Sequence, residues 1–150
     1  MEKEIIFAIG NDHGGLEAKK IICNYLKQNG FGVIDEGTDT PDSCDYPIFA
    51  QKVSKDVANN KANFGILICN TGEGMAIAAN KIKGIRAGII YNQETAHLVR
   101  EHNHANVLTF GAKFFTGEQM CEFINIFLKS KELGDRHQRR VDEINKEDSK

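Results

Sequence analysis

The sequence predicts an α/β protein: a three-layer α/β/α sandwich with a five-stranded, mainly parallel, Rossmann-like sheet. Five short segments are apolar throughout rather than alternating, which is typical of strands covered on both faces. Segments with helical spacing lie between them, and this alternation implies right-handed crossovers within one sheet. The predicted strands are residues 5–9, 32–35, 64–69, 85–90 and 107–110.

Several helix ends are marked by residue type. The helix after the first strand stops at Asn29 and Gly30, a pair that suits a left-handed cap. The helix after the last strand opens with Thr116 and Gln119 in a capping-box pattern. A highly charged stretch from about Asp135 is predicted to be an added C-terminal helix, with Asp135 at its start.

Composition limits the functional classes. A chain of 150 residues suits one domain, residues 1–150. The net charge of −2 indicates neither a nucleic-acid partner nor a membrane partner. The apolar run near the N-terminus is too short for a signal peptide or a membrane span. We therefore expect a cytoplasmic protein.

The four cysteines show no CxxC pairing and no regular spacing, so free thiols are expected rather than disulfides. Cys23 and Cys121 fall within helical patterns and are interpreted as packing residues. Cys44 lies in a loop, and the pattern leaves its role open. Cys69 alone combines a strand end, a glycine loop and a helix start.

Ligands of open parallel sheets bind at the carboxyl ends of the strands, so the residues after each strand are the first candidates. Asp12 and His13 follow the first strand and precede two glycines, which indicates either an ordinary turn or a pair facing a ligand. A long loop, 36–45, follows the second strand and can wall a site. Tyr46 follows that loop, where it is either a site residue or an ordinary half-buried aromatic.

The segment from Cys69 to Met75 is the most informative part of the chain. Its small residues lead into a helix predicted over 76–81, and backbone N–H groups that converge there favour an anion. The same field favours a thiolate on Cys69; the alternative is an inert, buried strand residue. Ile77 occupies the third glycine position of a dinucleotide fingerprint, so nucleotide binding is disfavoured.

His97, His102 and His104 do not share one helical face, so no metal site is predicted. One of them is better suited to general acid–base chemistry, because imidazole titrates near neutral pH. Arg136 and Arg140 lie one turn apart at the start of the C-terminal helix, where positive charge opposes the helix dipole. A bound phosphate explains that placement; a solvated charged face is the alternative.

Eight segments, in order over nearly the whole chain, resemble the type B ribose-5-phosphate isomerases and the related galactose-6-phosphate isomerase subunits. Each segment is weak alone, but the ordered set is highly specific. The resemblance implies a homodimer or a dimer of dimers, with active sites between subunits and without metal or cofactor. The matching segments are Asp12 to Gly15, Asp45 to Pro47, 66–72, 78–81, 84–87, 101–103, 106–108 and 136–141.

The resemblance also implies a role for each matching residue. Cys69 corresponds to the base that takes the proton beside the carbonyl, and Thr71 to the group that moves a proton between the substrate oxygens. His102 of the neighbouring subunit corresponds to the residue that opens the sugar ring, with Asp12 nearby. The other expected contacts are Gly72 and Gly74 for the enediolate, His13, Arg136, His137 and Arg140 for the phosphate, and Tyr46, Asn70 and Asn103 for the sugar.

The chain follows the cysteine variety of this family. Met75 stands where members without the cysteine carry a glutamate. Asn70 stands where glycine is common, and asparagine tolerates left-handed backbone angles. His104 stands where an acidic residue is frequent.

The expected function is interconversion of ribose 5-phosphate and ribulose 5-phosphate, a step of the pentose phosphate pathway. Isomerisation of galactose 6-phosphate or allose 6-phosphate is the alternative within the family. A non-catalytic phosphosugar sensor is an alternative of another class, but it would not require Cys69, Thr71 and His102 together. A thiol-based redox module is disfavoured because no resolving cysteine is indicated.

Overall fold

The computed structural model describes residues 3–150, in which strands and helices alternate along the chain. The strands are β1 (Ile6–Asn11), β2 (Gly32–Asp35), β3 (Phe64–Cys69), β4 (Ala87–Ile89) and β5 (Val107–Gly111). The helices are α1 (Leu16–Gln28), α2 (Tyr46–Ala58), α3 (Glu73–Ala79), α4 (Gln93–Glu101), α5 (Gly117–Lys129) and α6 (Arg136–Lys146), with 3-10 turns at His13–Gly15 and Glu147–Ser149. None of these helices is long and apolar enough to cross a membrane.

The five strands form one parallel sheet in the order β2-β1-β3-β5-β4. The predicted fold class is therefore confirmed. The chain moves from β1 outward to β2 and returns on the other side of β1 at β3, so the direction of winding reverses between β1 and β3. Such a reversal opens a crevice at the carboxyl ends of the two strands. We call this side of the sheet the carboxyl edge.

The hydrophobic core lies in two layers, one on each face of the sheet. Alternate residues of each strand point to opposite faces, so Ile66 and Ile68 join the cluster beneath α1, α4 and α5. Leu67 and Cys69 join the cluster beneath α2 and α3. The side chain of Cys69 therefore faces the α2–α3 layer.

The start of one helix differs from the prediction. Helix α3 begins at Glu73, three residues before the predicted start, because Gly72 adopts a left-handed φ of 85° and ends the loop early. Helix α6 begins directly after Asp135, as predicted, although Asp135 has a φ of 52° and its side chain makes no capping hydrogen bond. The capping box of Thr116 and Gln119 at the start of α5 is confirmed.

Candidate active site

The predicted site residues fall into two groups within one chain. The carboxyl-edge group follows β1 and β3 and includes the first turns of α2 and α3. The helical group lies at the end of α4 and the start of α6. The first comprises Asp12, His13, Tyr46, Cys69, Asn70, Thr71, Gly72 and Gly74; the second comprises His102, Asn103, Arg136, His137 and Arg140.

Cys69 is the last residue of β3, and its side chain is 5% exposed. The backbone N–H of Gly72 donates a hydrogen bond to its Sγ at 3.1 Å. Burial alone is typical of a packing cysteine. A backbone hydrogen-bond donor aimed at the sulfur, however, is a polar contact that apolar packing alone does not explain.

Two other cysteines have a different environment. Burial, with a smaller contribution from Glu118, raises the pKa of the Cys121 thiol to about 11. Burial, followed by the charge of Asp35, also raises the pKa of Cys23. These thiols therefore remain neutral at physiological pH, as expected for packing residues.

The loop after Cys69 leaves no space for side chains at its glycines. A Cβ on Gly72 would lie 3.0 Å from the carbonyl carbon of Phe110, and the positive φ of Gly72 disfavours any other residue. The hydroxyl of Thr71 accepts a hydrogen bond from the N–H of Glu73 at 3.2 Å. The tight loop thus brings Thr71 and the start of α3 close to the sulfur.

Asn70 does not adopt the left-handed backbone angles that asparagine tolerates. Among residues 3–150, the non-glycine residues with positive φ are Asn60, His104 and Asp135. Asn70 is exposed. Its backbone nitrogen lies 4.0 Å from the position that a Cβ on Gly14 would occupy, which is van der Waals contact. The loops after β1 and β3 are therefore adjacent.

Tyr46 also reaches the carboxyl edge. A Cβ on Gly74 would lie 2.6 Å from Cζ of the Tyr46 ring, so the ring rests on the backbone of the first turn of α3. The ring remains partly exposed. The structure thus brings Tyr46 to the residues that follow Cys69.

Asp12 and His13 form the other wall of this crevice. Asp12 is buried, and its Oδ1 accepts a hydrogen bond from the N–H of Gly14 at 2.9 Å, which is an ordinary turn contact. His13 is exposed, and its Nδ1 accepts a long hydrogen bond, 3.4 Å, from the backbone N–H of Cys44. The Sγ of Cys44 lies 3.8 Å from the same nitrogen. Cys44, whose role the sequence left open, is therefore a neighbour of His13.

The helical group is electropositive. The rings of His102 and His137 stack in parallel, with centroids 4.2 Å apart. Burial lowers the pKa of His137, and His102, Arg136 and Arg140 lower it further, against a smaller opposing contribution from Glu101. Both arginines are exposed. This group has the charge and geometry to bind an anion.

The connection between α5 and α6 fixes the helical group. The N–H of Leu133 donates to the carbonyl of Glu101 at 3.0 Å, and Nε2 of His104 lies 2.8 Å from the carbonyl oxygen of Leu133. His104 is buried. These contacts give His104 a structural role in joining α6 to the end of α4.

The two groups do not meet within one chain. Helix α4 starts after β4 and ends before β5, so it leads from the carboxyl edge to the opposite edge of the sheet. Cys69 pairs with Gly111 at the far end of β5. The five residues of β5 span about 13 Å, which separates the end of α4 from the level of Cys69. Within one chain, the helical group and Cys69 therefore lie toward opposite edges of the sheet.

Metal ligation is a separate question. Within residues 3–150, no three His, Cys, Asp or Glu side chains converge in an arrangement that could hold a metal ion. His97 instead contacts Ser130 Oγ through Nδ1 at 2.6 Å and Glu101 through Nε2 at 2.7 Å. These contacts hold the last turn of α4 in place.

Comparisons with known proteins identify the family of this chain. The model of the Ribose/Galactose Isomerase family matches residues 7–144. A probable ribose-5-phosphate isomerase B of Mycoplasma genitalium is 44% identical over 138 residues, which cover 91% of each chain. Ribose-5-phosphate isomerase B of Escherichia coli is 42% identical over 91% of this chain and 92% of the relative.

A solved structure is also similar over almost its full length. It is a crystal structure of ribose-5-phosphate isomerase B from Mycoplasma genitalium with bound ribulose-5-phosphate. The TM-score is 0.94 at 40% identity, and the match covers 99% of both chains. The chain therefore belongs to the ribose/galactose isomerase family.

Proposed function

We propose that this protein is an aldose–ketose isomerase that interconverts ribose 5-phosphate and ribulose 5-phosphate. The observation that carries the proposal is the hydrogen bond from the Gly72 N–H to the Cys69 sulfur, which holds the sulfur as an acceptor at the carboxyl edge. The ribulose-5-phosphate bound in the Mycoplasma genitalium relative supports this substrate class.

The proposed reaction needs only proton transfers once the sugar ring is open. The Cys69 thiolate takes the proton from C2 of ribose 5-phosphate, the C–H electrons form the enediolate double bond, and the carbonyl oxygen becomes negative. The hydroxyl of Thr71 moves a proton between O1 and O2. The Cys69 thiol then returns its proton to C1, which gives the ketose. No step requires a metal or a redox cofactor.

The two glycines have separate roles in this proposal. The N–H of Gly72 donates to the sulfur, so it stabilises the thiolate rather than the enediolate. Gly74 lies in the first turn of α3, where backbone N–H groups lack acceptors within the helix. The Gly74 N–H is thus the donor we assign to the enediolate oxygen, and fixed donors of this kind lower the barrier.

The remaining groups come from a second copy of the chain. His102 of the partner subunit opens the ring, with Asp12 nearby, and Asn103 of the partner subunit contacts the sugar together with Tyr46 and Asn70. His13 and the partner subunit's Arg136, His137 and Arg140 hold the phosphate. The separation of the two groups within one chain supports this division.

An apolar surface supports a homodimer. Ile77 on α3, Tyr91 after β4 and Phe114 after β5 are 67%, 60% and 61% exposed. All three lie on elements at the carboxyl side of the sheet. Exposed large apolar side chains on one side favour protein–protein contact. A homodimer, or a dimer of such dimers, covers this surface and completes the site.

The proposed activity belongs to the pentose phosphate pathway, because substrate and product are both pentose phosphates. The charged phosphate keeps such substrates within the cell, which favours a cytoplasmic location.

Incubation with ribose 5-phosphate is expected to yield ribulose 5-phosphate, which proton NMR detects directly. Galactose 6-phosphate and allose 6-phosphate at equal concentration test the six-carbon alternatives, and phosphate-free ribose tests the need for phosphate. We expect ribose 5-phosphate to be converted with the highest kcat/KM. Faster conversion of either hexose phosphate would contradict the assignment, and binding without conversion of any of the three sugar phosphates would indicate a sensor.

A further inference from the structure

Lys19 on α1 is a buried cation for which the proposed reaction has no use. Lys19 is 2% exposed. A buried charge is costly unless it is paired and hydrogen-bonded. The Nζ of Lys19 lies 3.1 Å from Asp35 Oδ2, donates to Asp39, and donates to the carbonyl oxygen of Thr38 at 2.8 Å. All three partners lie at the end of β2 or in the loop that follows.

These partners keep Lys19 charged. Burial acts to lower the pKa of Lys19, but its hydrogen bonds to Asp39 and Asp35 outweigh burial, and the pKa is raised overall. The same contact lowers the pKa of Asp39. The charged ammonium group thus links α1 to Thr38 and Asp39 in the β2–α2 loop (residues 36–45).

The start of the β2–α2 loop is also tied to β1. The carbonyl oxygen of Thr38 accepts a second hydrogen bond from Nδ2 of Asn11 at 3.2 Å, and the N–H of Thr38 donates to the carbonyl of Asn11 at 3.4 Å. Asn11 is the last residue of β1 and immediately precedes Asp12 and His13. Lys19 and Asn11 together fix the loop against the strand that carries the phosphate-binding histidine.

The far end of the same loop meets His13. The backbone N–H of Cys44 donates to Nδ1 of His13. A backbone N–H has no acceptor capacity, so Nδ1 must accept and therefore carries no proton. In that tautomer the ring proton is on Nε2. The position of the loop sets the tautomer of His13.

We propose that Lys19 is a positioning residue for phosphate binding, which acts by holding the β2–α2 loop so that Cys44 keeps His13 in the tautomer with an Nε2–H donor. This inference rests on the proposed function, in which His13 contacts the phosphate. Lys19 itself touches neither substrate nor reacting atoms. Its contribution is to fix one donor before the phosphate arrives, which lowers the ordering cost of binding.

Two variants remove the contact between Lys19 and Asp39, one on α1 and one on the loop, and each has a matched control. Lys19→Met removes the ammonium group but keeps the apolar stem, and it strands no buried charge, because the side chains of Asp35 and Asp39 are 41% and 82% exposed. Asp39→Ala removes one partner on the exposed side and leaves the buried ammonium paired with Asp35 and the Thr38 carbonyl. Lys20→Met is the control on α1, because Lys20 is exposed. Asp42→Ala is the control on the loop, because Asp42 is exposed.

The readout is ¹⁵N NMR of the His13 ring in the full-length protein, with and without inorganic phosphate. We expect the Nε2-protonated tautomer in the parent and in both controls, and a mixture of tautomers in Lys19→Met and Asp39→Ala. Phosphate is expected to bind these two variants about three- to tenfold more weakly, the effect of losing one hydrogen bond. The KM for ribose 5-phosphate rises correspondingly, while kcat changes little.

The outcomes separate this inference from the proposed function. An unchanged tautomer and unchanged phosphate affinity in Lys19→Met and Asp39→Ala would overturn the role of Lys19 and leave the isomerase assignment intact. A parent whose His13 ring does not respond to phosphate would overturn the phosphate role of His13, and the inference with it.

Discussion

A Cys69→Ala variant is expected to lose isomerisation of ribose 5-phosphate by about 10²–10⁴-fold, the range that general acid–base catalysis supplies. The loss follows because alanine provides no group that can take the C2 proton. The phosphate and sugar contacts lie on other residues, so binding should persist. Stopped assays give kcat, and calorimetry with ribose 5-phosphate gives the affinity.

Cys23→Ala is the matched control for this variant. Cys23 lies on α1 and packs against the other core cluster, and burial, with a smaller contribution from Asp35, raises its pKa. We expect the control to retain parental kcat and KM. Parental kcat in Cys69→Ala would exclude Cys69 as the base, and loss of binding together with turnover would point to a damaged fold.

Mixed dimers are expected to recover activity from two inactive parents. One parent carries Cys69→Ala, and the other carries Arg136→Ala with Arg140→Ala. If each site takes its thiol from one subunit and its arginines from the other, a mixed dimer has one intact site and one site with both lesions. Random pairing in a two-fold symmetric dimer then restores about a quarter of parental activity in the whole mixture and about half in isolated mixed dimers. Co-expression with two affinity tags isolates the mixed dimers, and the assay uses substrate near the parental KM.

The control places all three substitutions in one chain and co-expresses it with the unaltered chain. If the site is shared, one site of each mixed dimer lacks the Cys69 thiol and the other lacks the two arginines. The isolated mixed dimers are therefore expected to be inactive. If each active site instead lay within one subunit, the control dimers would be active, because the unaltered chain would keep an intact site. Mixed dimers of the two single-lesion parents would then be inactive, which would refute the two-copy site.

The sheet and its helices were predictable because their signals are local and periodic, whereas the family was indicated by a resemblance of ordered segments. The strand β3 has the predicted bounds, since its apolar run is uninterrupted and is followed by glycines. The start of α3 was placed three residues late. Gly72 decides this boundary, because its backbone is left-handed and the close approach of Phe110 leaves no room for a Cβ. That contact joins residues almost forty positions apart.

Other features depend on contacts between distant segments, and the sequence alone does not reveal them. Lys19 has the pattern of an ordinary helix residue, yet it is buried because Asp35 and Asp39 approach it from another element. The contact of Cys44 with His13 likewise depends on the path of a ten-residue loop. The one sequence signal for the burial of Lys19 is its position within an otherwise apolar face of α1.

The helical group shows a different limit. Helical spacing predicted that Arg136 and Arg140 share one face, but spacing does not reveal where α6 lies relative to Cys69. Its position depends on the backbone contacts of Leu133 with Glu101 and on the buried ring of His104. Family resemblance implied a site shared between subunits, and the separation of the two groups within one chain supports that proposal.

Ionisation of Cys69 is the claim on which the chemistry depends, and ultraviolet difference titration measures it directly. Thiolate absorbance of the parent minus that of Cys69→Ala, followed across pH, isolates the ionisation of this one sulfur. We expect that ionisation to coincide with the acidic limb of the kcat/KM profile for ribose 5-phosphate, because this profile reports the essential groups of the free enzyme. A sulfur that stays protonated throughout the pH range of full turnover would contradict the account.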